Sequence, residues 1–324
     1  MAAAEHVLLY VAALSTCVVS GANDGATLAA TSSRSGALSP LAAVALLSLT
    51  AAAAPLVVGT KVATTIAHGL VSFESDGGQL AFLAAVAVTL GVVAVLALRG
   101  RPTSLTMALT GAIVGVGVGD GLPTRLTTAL GVLVAGIVAP FLSLAVAYAL
   151  APFARRVLGA GPRTERRGRR LGVLAFAAQS IAYGANDAEK LVAILAVAGG
   201  ARAGAVRASA GGELAVALCF GLGALVSIRT LAPRLRTGLG RARQDGTLAA
   251  VAGATTSVLG GALVGLPLSS TQAVTAALLG GSARLVPWSV RWQAVREIAL
   301  AWVLTLPLAL GVGALVGIVL RLAH

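Results

Sequence analysis

The chain has 324 residues, of which 57% are hydrophobic, 11% charged and 4% aromatic, and its mean hydropathy is +0.93. Soluble domains carry about 25% charged residues, so a water-exposed enzyme is excluded, and so is disorder, which needs low hydrophobicity. The net charge of +13 would suggest a nucleic-acid partner in a soluble protein. In so apolar a chain it fits basic residues gathered in cytoplasmic loops, and no nucleic-acid partner is expected. The apolar runs are continuous rather than alternating, which argues against a porin-like barrel. An all-α polytopic membrane protein remains.

Ten apolar segments follow one another, at 5–29, 38–60, 79–98, 103–119, 126–151, 171–199, 205–228, 246–264, 266–283 and 292–320. The first has no Lys or Arg ahead of Val7, so it reads as a membrane helix rather than a cleaved signal. Forty glycines suit close helix–helix approach in lipid. Residues 155–170 hold seven Arg and one Glu. This stretch is expected as a basic cytoplasmic linker between a first transmembrane repeat, 1–154, and a second, 171–324. With the N-terminus outside and all ten segments crossing, seventeen Lys and Arg fall inside and five outside. The positive-inside rule therefore puts both termini outside. Cys17 and Cys219 lie apart in apolar runs and offer neither a disulfide framework nor metal spacing.

The two halves share words. Ser20-Gly-Ala-Asn-Asp24 recurs as Tyr183-Gly-Ala-Asn-Asp187, an offset of 163. Pro102-Thr-Ser-Leu-Thr106 recurs as Pro267-Leu-Ser-Ser-Thr271, an offset of 165. Two words in one order at nearly one offset imply two copies of one unit. Five crossings per unit is odd, so the second copy starts from the opposite side. An inverted-topology repeat with broken or re-entrant helices at its centre is the expected architecture.

The words suggest their chemistry. Asp inside an apolar segment costs a few kcal/mol at the bilayer centre, about 3 on insertion scales. Flanking glycines invite unwound backbone, tolerated at that depth only where it lines a cavity. Asn23, Asp24, Asn186 and Asp187 thus form a hard-oxygen set for Na+ or a proton. In the second word, Pro is expected to start a helix, leaving free amides and the hydroxyls of Ser104, Thr106, Ser269, Ser270 and Thr271 at helix N-termini. Such termini hold anions. Lys190 shares a helix face with Asp187 and is expected beside the site, paired with Asp187 or Glu189. Thr27, Thr103 and Gln272 are further site-adjacent residues. Glu213 reads either as a proton or cation ligand or as the partner of an Arg at the membrane edge. No Walker A loop is present, and His6, His68 and His324 are scattered, so no cofactor is expected beyond a coupling ion. An intramembrane hydrolase would need a nucleophile–base pair or metal set that is not evident.

In these words the chain resembles the inorganic phosphate transporters of the PiT type, over nearly its whole length. GANDGATLAATSSRSGAL resembles the first signature of that family and YGANDAEK the second, while Trp302, Thr305 and Pro307 resemble its last-helix region. The resemblance implies symport of inorganic phosphate with a cation, sodium in some members and protons in others. It implies cation sites framed by Asn23, Asp24, Asn186 and Asp187, with phosphate held by Ser104, Thr106, Ser269, Ser270 and Thr271. The family's second word usually reads Pro-x-Ser-Thr-Thr-His, but here Met107 and Gln272 replace both histidines, and Thr27 stands where the family has a further Asn.

The expected function is a secondary active transporter, not an enzyme, that brings inorganic phosphate across the bacterial inner membrane with Na+ or H+. Its partners are phosphate and membrane lipid, and a homodimer is open as the assembly. A sulfate or other oxyanion permease of the same fold and an anion channel are the alternatives.

Overall fold

The computed structural model describes residues 3–74, 77–98, 103–159, 164–200, 206, 209–228, 243–290 and 292–323. Pro102 and the arginines at 99, 101, 163, 202, 207, 229, 234, 236, 241 and 291 lie outside the described residues. Apart from one isolated bridge, Val71 with Thr124, the regular structure described is helical. Every apolar segment becomes helix.

The first segment is α1 (Ala3–Ser20), a π-helical turn (Gly21–Gly25) and α2 (Ala26–Ser35) in one continuous rod. Next come α3 (Pro40–Val58), the short α4 (Lys61–Thr64) with a second π turn (Thr65–Gly69), α5 (Gly78–Leu98), α6 (Leu105–Asp120) and α7 (Leu126–Leu158). The second half holds α8 (Thr164–Tyr183), a π turn (Gly184–Ala188), α9 (Glu189–Ala198), α10 (Ala210–Ile228), α11 (Gln244–Leu263), α12 (Ser270–Leu285) and α13 (Trp292–Ala323). Seven of the described helices are long and apolar enough to cross a membrane. The chain is a multi-pass membrane protein.

Three expectations need correction. The glycine-flanked Asn-Asp words do not unwind. Each becomes a π turn inside a helix, which keeps the backbone hydrogen-bonded while widening the helix by one residue. The basic stretch 155–170 is mostly the ends of two helices, because α7 runs through Leu158 and α8 begins at Thr164. Lys61–Gly69, which falls between the expected segments, is a short helix followed by a π turn. Its apolar residues Val62, Ala63, Ile66 and Ala67, with Leu70 just beyond, fall at helical spacing and are buried, but the stretch is too short to be read as a crossing segment.

Corresponding helices meet antiparallel. His6 lies against Ala198, Ser20 against Tyr183 and Thr31 against Gln179, so numbers rise along α1–α2 as they fall along α8–α9. The long closing helices are exchanged: α7 packs on α11 and α12, and α13 packs on α5 and α6. α6 is buried almost end to end beneath α13.

Glycine sets how closely α10 and α3 approach the π turns. A Cβ on Gly21 would stand 1.9 Å from the Phe220 carbonyl oxygen, and one on Gly184 would stand 2.3 Å from that of Thr50. In each case the obstacle is backbone, which cannot swing aside. Gly21→Ala is therefore expected to destabilise the fold by about 3 kcal/mol or more, at the upper end of overpacking costs. Melting of the purified protein in detergent checks this; an unchanged midpoint would mean that the helices are not in such contact.

Candidate functional site

The Asn-Asp turns lie against the starts of α6 and α12. Asn186 donates from Nδ2 to the Leu268 carbonyl at 2.7 Å and accepts the Leu268 amide at Oδ1, 2.9 Å away. Leu268 immediately precedes Ser269, the N-cap of α12. Asn23 does part of the same work, donating to the Thr103 carbonyl at 3.2 Å, and Thr103 precedes Ser104, the N-cap of α6. Each Asn also donates to its neighbouring carboxylate, at 2.8 Å for Asp24 and 3.0 Å for Asp187. The asparagines thus position helix starts, a role that their chemistry as ion ligands did not anticipate.

The helix starts are capped by serine rather than begun by proline. Ser104 Oγ accepts the Met107 amide at 3.1 Å, and Ser269 Oγ accepts the Gln272 amide at 3.4 Å. Pro267 stands two residues before its cap. Capping satisfies one of the free amides at each terminus and leaves the others for an anion. The termini converge across the halves: Thr106 Oγ1, in the first turn of α6, donates to the Leu268 carbonyl at 3.0 Å. The Ser269 and Thr271 hydroxyls lie 3.1 Å apart.

Lys190 binds the cluster together. Its ammonium donates to Asp187 Oδ1 at 2.6 Å, to Thr106 Oγ1 at 2.7 Å and to the Leu268 carbonyl at 2.5 Å. Of the two partners considered from sequence, Asp187 is the one taken. Asp187 also accepts a hydrogen bond from Ser270. On the other turn, Ser20 donates to Asp24 at 3.1 Å, and its oxygen lies 3.1 Å from the Tyr183 hydroxyl. Since the Ser20 proton is spent on Asp24, Tyr183 is the donor to Ser20. Asp24, Asp187, Lys190 and the five helix-start hydroxyl residues are all buried. One ammonium and two carboxylates are thus enclosed with two helix termini, each worth roughly half a positive charge.

Other expected residues sit at the margin or elsewhere. Thr27 donates to the Asn23 carbonyl at 2.9 Å. The Thr103 hydroxyl is buried with no hydrogen-bond partner. Gln272 and Met107 line an apolar cavity of about 450 Å³ together with Pro140 and Pro307. Glu213 lies in the first turn of α10, two turns before the Phe220 that touches the first π turn.

Three residues were missed. Ser20 and Tyr183 occupy equivalent places in the two words, and the 163-residue offset was itself the available signal that they could meet on a shared axis. Glu189 is buried and accepts the amides of Val62 and Ala63 at 2.8 and 3.1 Å, capping the start of α4. Nothing local in the sequence marks that long-range bond. Glu189→Ala leaves both amides unpaired and is expected to cost about 2–4 kcal/mol. Amide hydrogen exchange across residues 60–70 would show it, and protection equal to wild type would refute it.

The chain matches the profile of the phosphate transporter family over residues 20–313. It is 33% identical to a probable low-affinity inorganic phosphate transporter of Mycobacterium tuberculosis strain H37Rv, over 95% of this chain and 76% of that one. It is 24% identical to a protein of the same description from Bacillus subtilis, over 98% and 97% of the two chains. A solved structure of a protein described as the sodium-dependent phosphate transporter shares the fold, with TM-score 0.81 and 18% identity over 99% of this chain and 100% of that one. The family and these relatives are transporters, not enzymes, and the chain belongs to the phosphate transporter family.

Proposed function

We propose that the chain is a secondary transporter carrying inorganic phosphate into the cell together with Na+ or H+, and that both bind in the enclosed cluster of Asn-Asp turns and helix starts. The convergence of the α6 and α12 N-termini onto Asp24, Asp187 and Lys190 carries this reading. Helix amides and hydroxyls suit a tetrahedral oxyanion. A buried carboxylate calls for a companion cation or proton. The sodium dependence of the transporter that shares this fold agrees with cation coupling.

Antiparallel pairing of corresponding helices and exchange of the closing helices support two inverted copies, 1–154 and 171–324, about an axis in the membrane plane. The Ser20–Tyr183 contact would lie on that axis, because each is the other's repeat equivalent. Burial of the cluster fits an occluded state, opened to either side by movement of one copy against the other. The basic helix ends near 155–170 favour the cytoplasmic side for that junction.

Competition tests the substrate. In proteoliposomes, unlabelled phosphate is expected to suppress labelled phosphate uptake at concentrations at least tenfold below those at which sulfate does. Equal suppression by sulfate would replace phosphate with a general oxyanion.

A further inference from the structure

The offsets of 163 and 165 pair Asp24 with Asp187, Thr103 with Leu268, Thr106 with Thr271 and Thr27 with Lys190. Lys190 thus corresponds to Thr27. Around the Lys190 ammonium stand a carboxylate oxygen, a hydroxyl and a backbone carbonyl, at 2.6, 2.7 and 2.5 Å. These are the hard oxygens that a small monovalent cation would take. The carbonyl is the one that Asn186 holds in place.

In the first copy the Asp24 carboxylate and the Thr103 carbonyl share the Asn23 amide as donor, and Thr271, the counterpart of Thr106, has its hydroxyl 3.1 Å from that of Ser269. The first copy supplies no ammonium. Thr27 carries a neutral hydroxyl that turns back to the Asn23 carbonyl. Among the described residues Asp24, only 4% exposed, has no ion-pair partner. The hydroxyl of Thr103, whose carbonyl Asn23 holds, is buried at 1% exposure and has no hydrogen-bond partner. Of the two copies, one has its oxygens filled by the protein's own charge. The other is left with a buried carboxylate and an unused buried hydroxyl.

We propose that Lys190 is a built-in cation occupying the second copy's ion position, so that one external monovalent cation, Na+ or H+, travels with each phosphate at the Asp24 position. This rests on the cation-coupled reading above. Lys190 sets how many ions the transporter carries, and its ammonium stays with the protein through the cycle.

The test counts cations per phosphate in proteoliposomes. Labelled sodium and labelled phosphate are followed together under a Na+ gradient, and internal pH and labelled phosphate under a proton gradient. Wild type is expected to move one cation per phosphate, with a Hill coefficient for the cation of about 1. Lys190→Thr, which copies the first half, is expected to move two, with a Hill coefficient approaching 2. Two or more cations per phosphate in wild type would overturn the assignment. So would an active Lys190→Thr with an unchanged ratio, including one whose only defect is a raised phosphate KM, which would make Lys190 a phosphate ligand. If Lys190→Thr does not fold, the wild-type ratio decides alone: one supports the assignment and two overturns it. Failure of wild type to take up phosphate under either gradient overturns the transport reading itself; uptake with two cations overturns only the role given to Lys190.

Discussion

Asp24→Asn is expected to yield a protein that folds normally but no longer accumulates phosphate against its gradient, with ion-driven uptake falling at least a hundredfold. The same change at Asp187 is expected to fail earlier, at folding. The two carboxylates are alike in burial and word, yet differ in what each faces. Asp24 meets the Ser20 hydroxyl and the Asn23 amide, both of which an Asn side chain can still engage. It forms no salt bridge among the described residues, and Lys190 keeps its Asp187 partner when Asp24 is neutralised, so no charge is stranded. Asp187 is 2.6 Å from the buried Lys190. Removing one partner of a buried ion pair leaves an uncompensated charge and costs about 3–5 kcal/mol, a large part of the stability of most domains. Asp187→Asn combined with Lys190→Met, which removes both charges, is expected to recover most of the folded yield. Size-exclusion profiles and melting midpoints of the three variants check the series. Equal stability of Asp24→Asn and Asp187→Asn would show that the Lys190 pair does not form.

The second large effect is expected at Asn186. Its side chain uses both donor and acceptor on Leu268, the residue that leads into the Ser269 cap. Asn186→Ala leaves the buried Leu268 amide without its partner and takes one of three donors from the Leu268 carbonyl. At about 1–3 kcal/mol per unsatisfied group, the start of α12 loses its fixed position. Since a misplacement of about 1 Å in such a cluster can cost a hundredfold in function, phosphate KM is expected to rise at least tenfold, with transport falling further. Asn23→Ala removes one hydrogen bond to the matching carbonyl, at 3.2 Å, and is expected to raise phosphate KM only a few-fold. Initial rates over a range of phosphate concentrations separate the two. A larger effect at Asn23 would reverse the order of importance of the two helix starts.

Much of the fold was legible from one kind of signal. Long runs of Ala, Leu and Val can only be membrane-compatible helix, and every such run became one. The pairing of the two words was legible because they recur at one offset. The roles inside the cluster were less so. Asn186 looked like an ion ligand from its chemistry, whereas its partner is a backbone group 82 residues away. Proline looked like a helix start, but Ser269 holds that place because its side chain can reach the Gln272 amide. The π turns carry no composition of their own. Their glycines mark close approach by α10 and α3, seen only once those helices are in place. Lys190 could be assigned to the right carboxylate only when Glu189 was seen to be engaged by Val62 and Ala63.

The most direct measurement is phosphate accumulation by the purified protein in sealed vesicles, with a Na+ gradient and a proton gradient imposed one at a time. Internal phosphate is expected to rise above the external concentration under at least one of them and to fall back when that gradient is collapsed by an ionophore. Phosphate that only equilibrates, at the same rate with and without either gradient, would contradict coupled transport and leave a passive oxyanion pathway in its place.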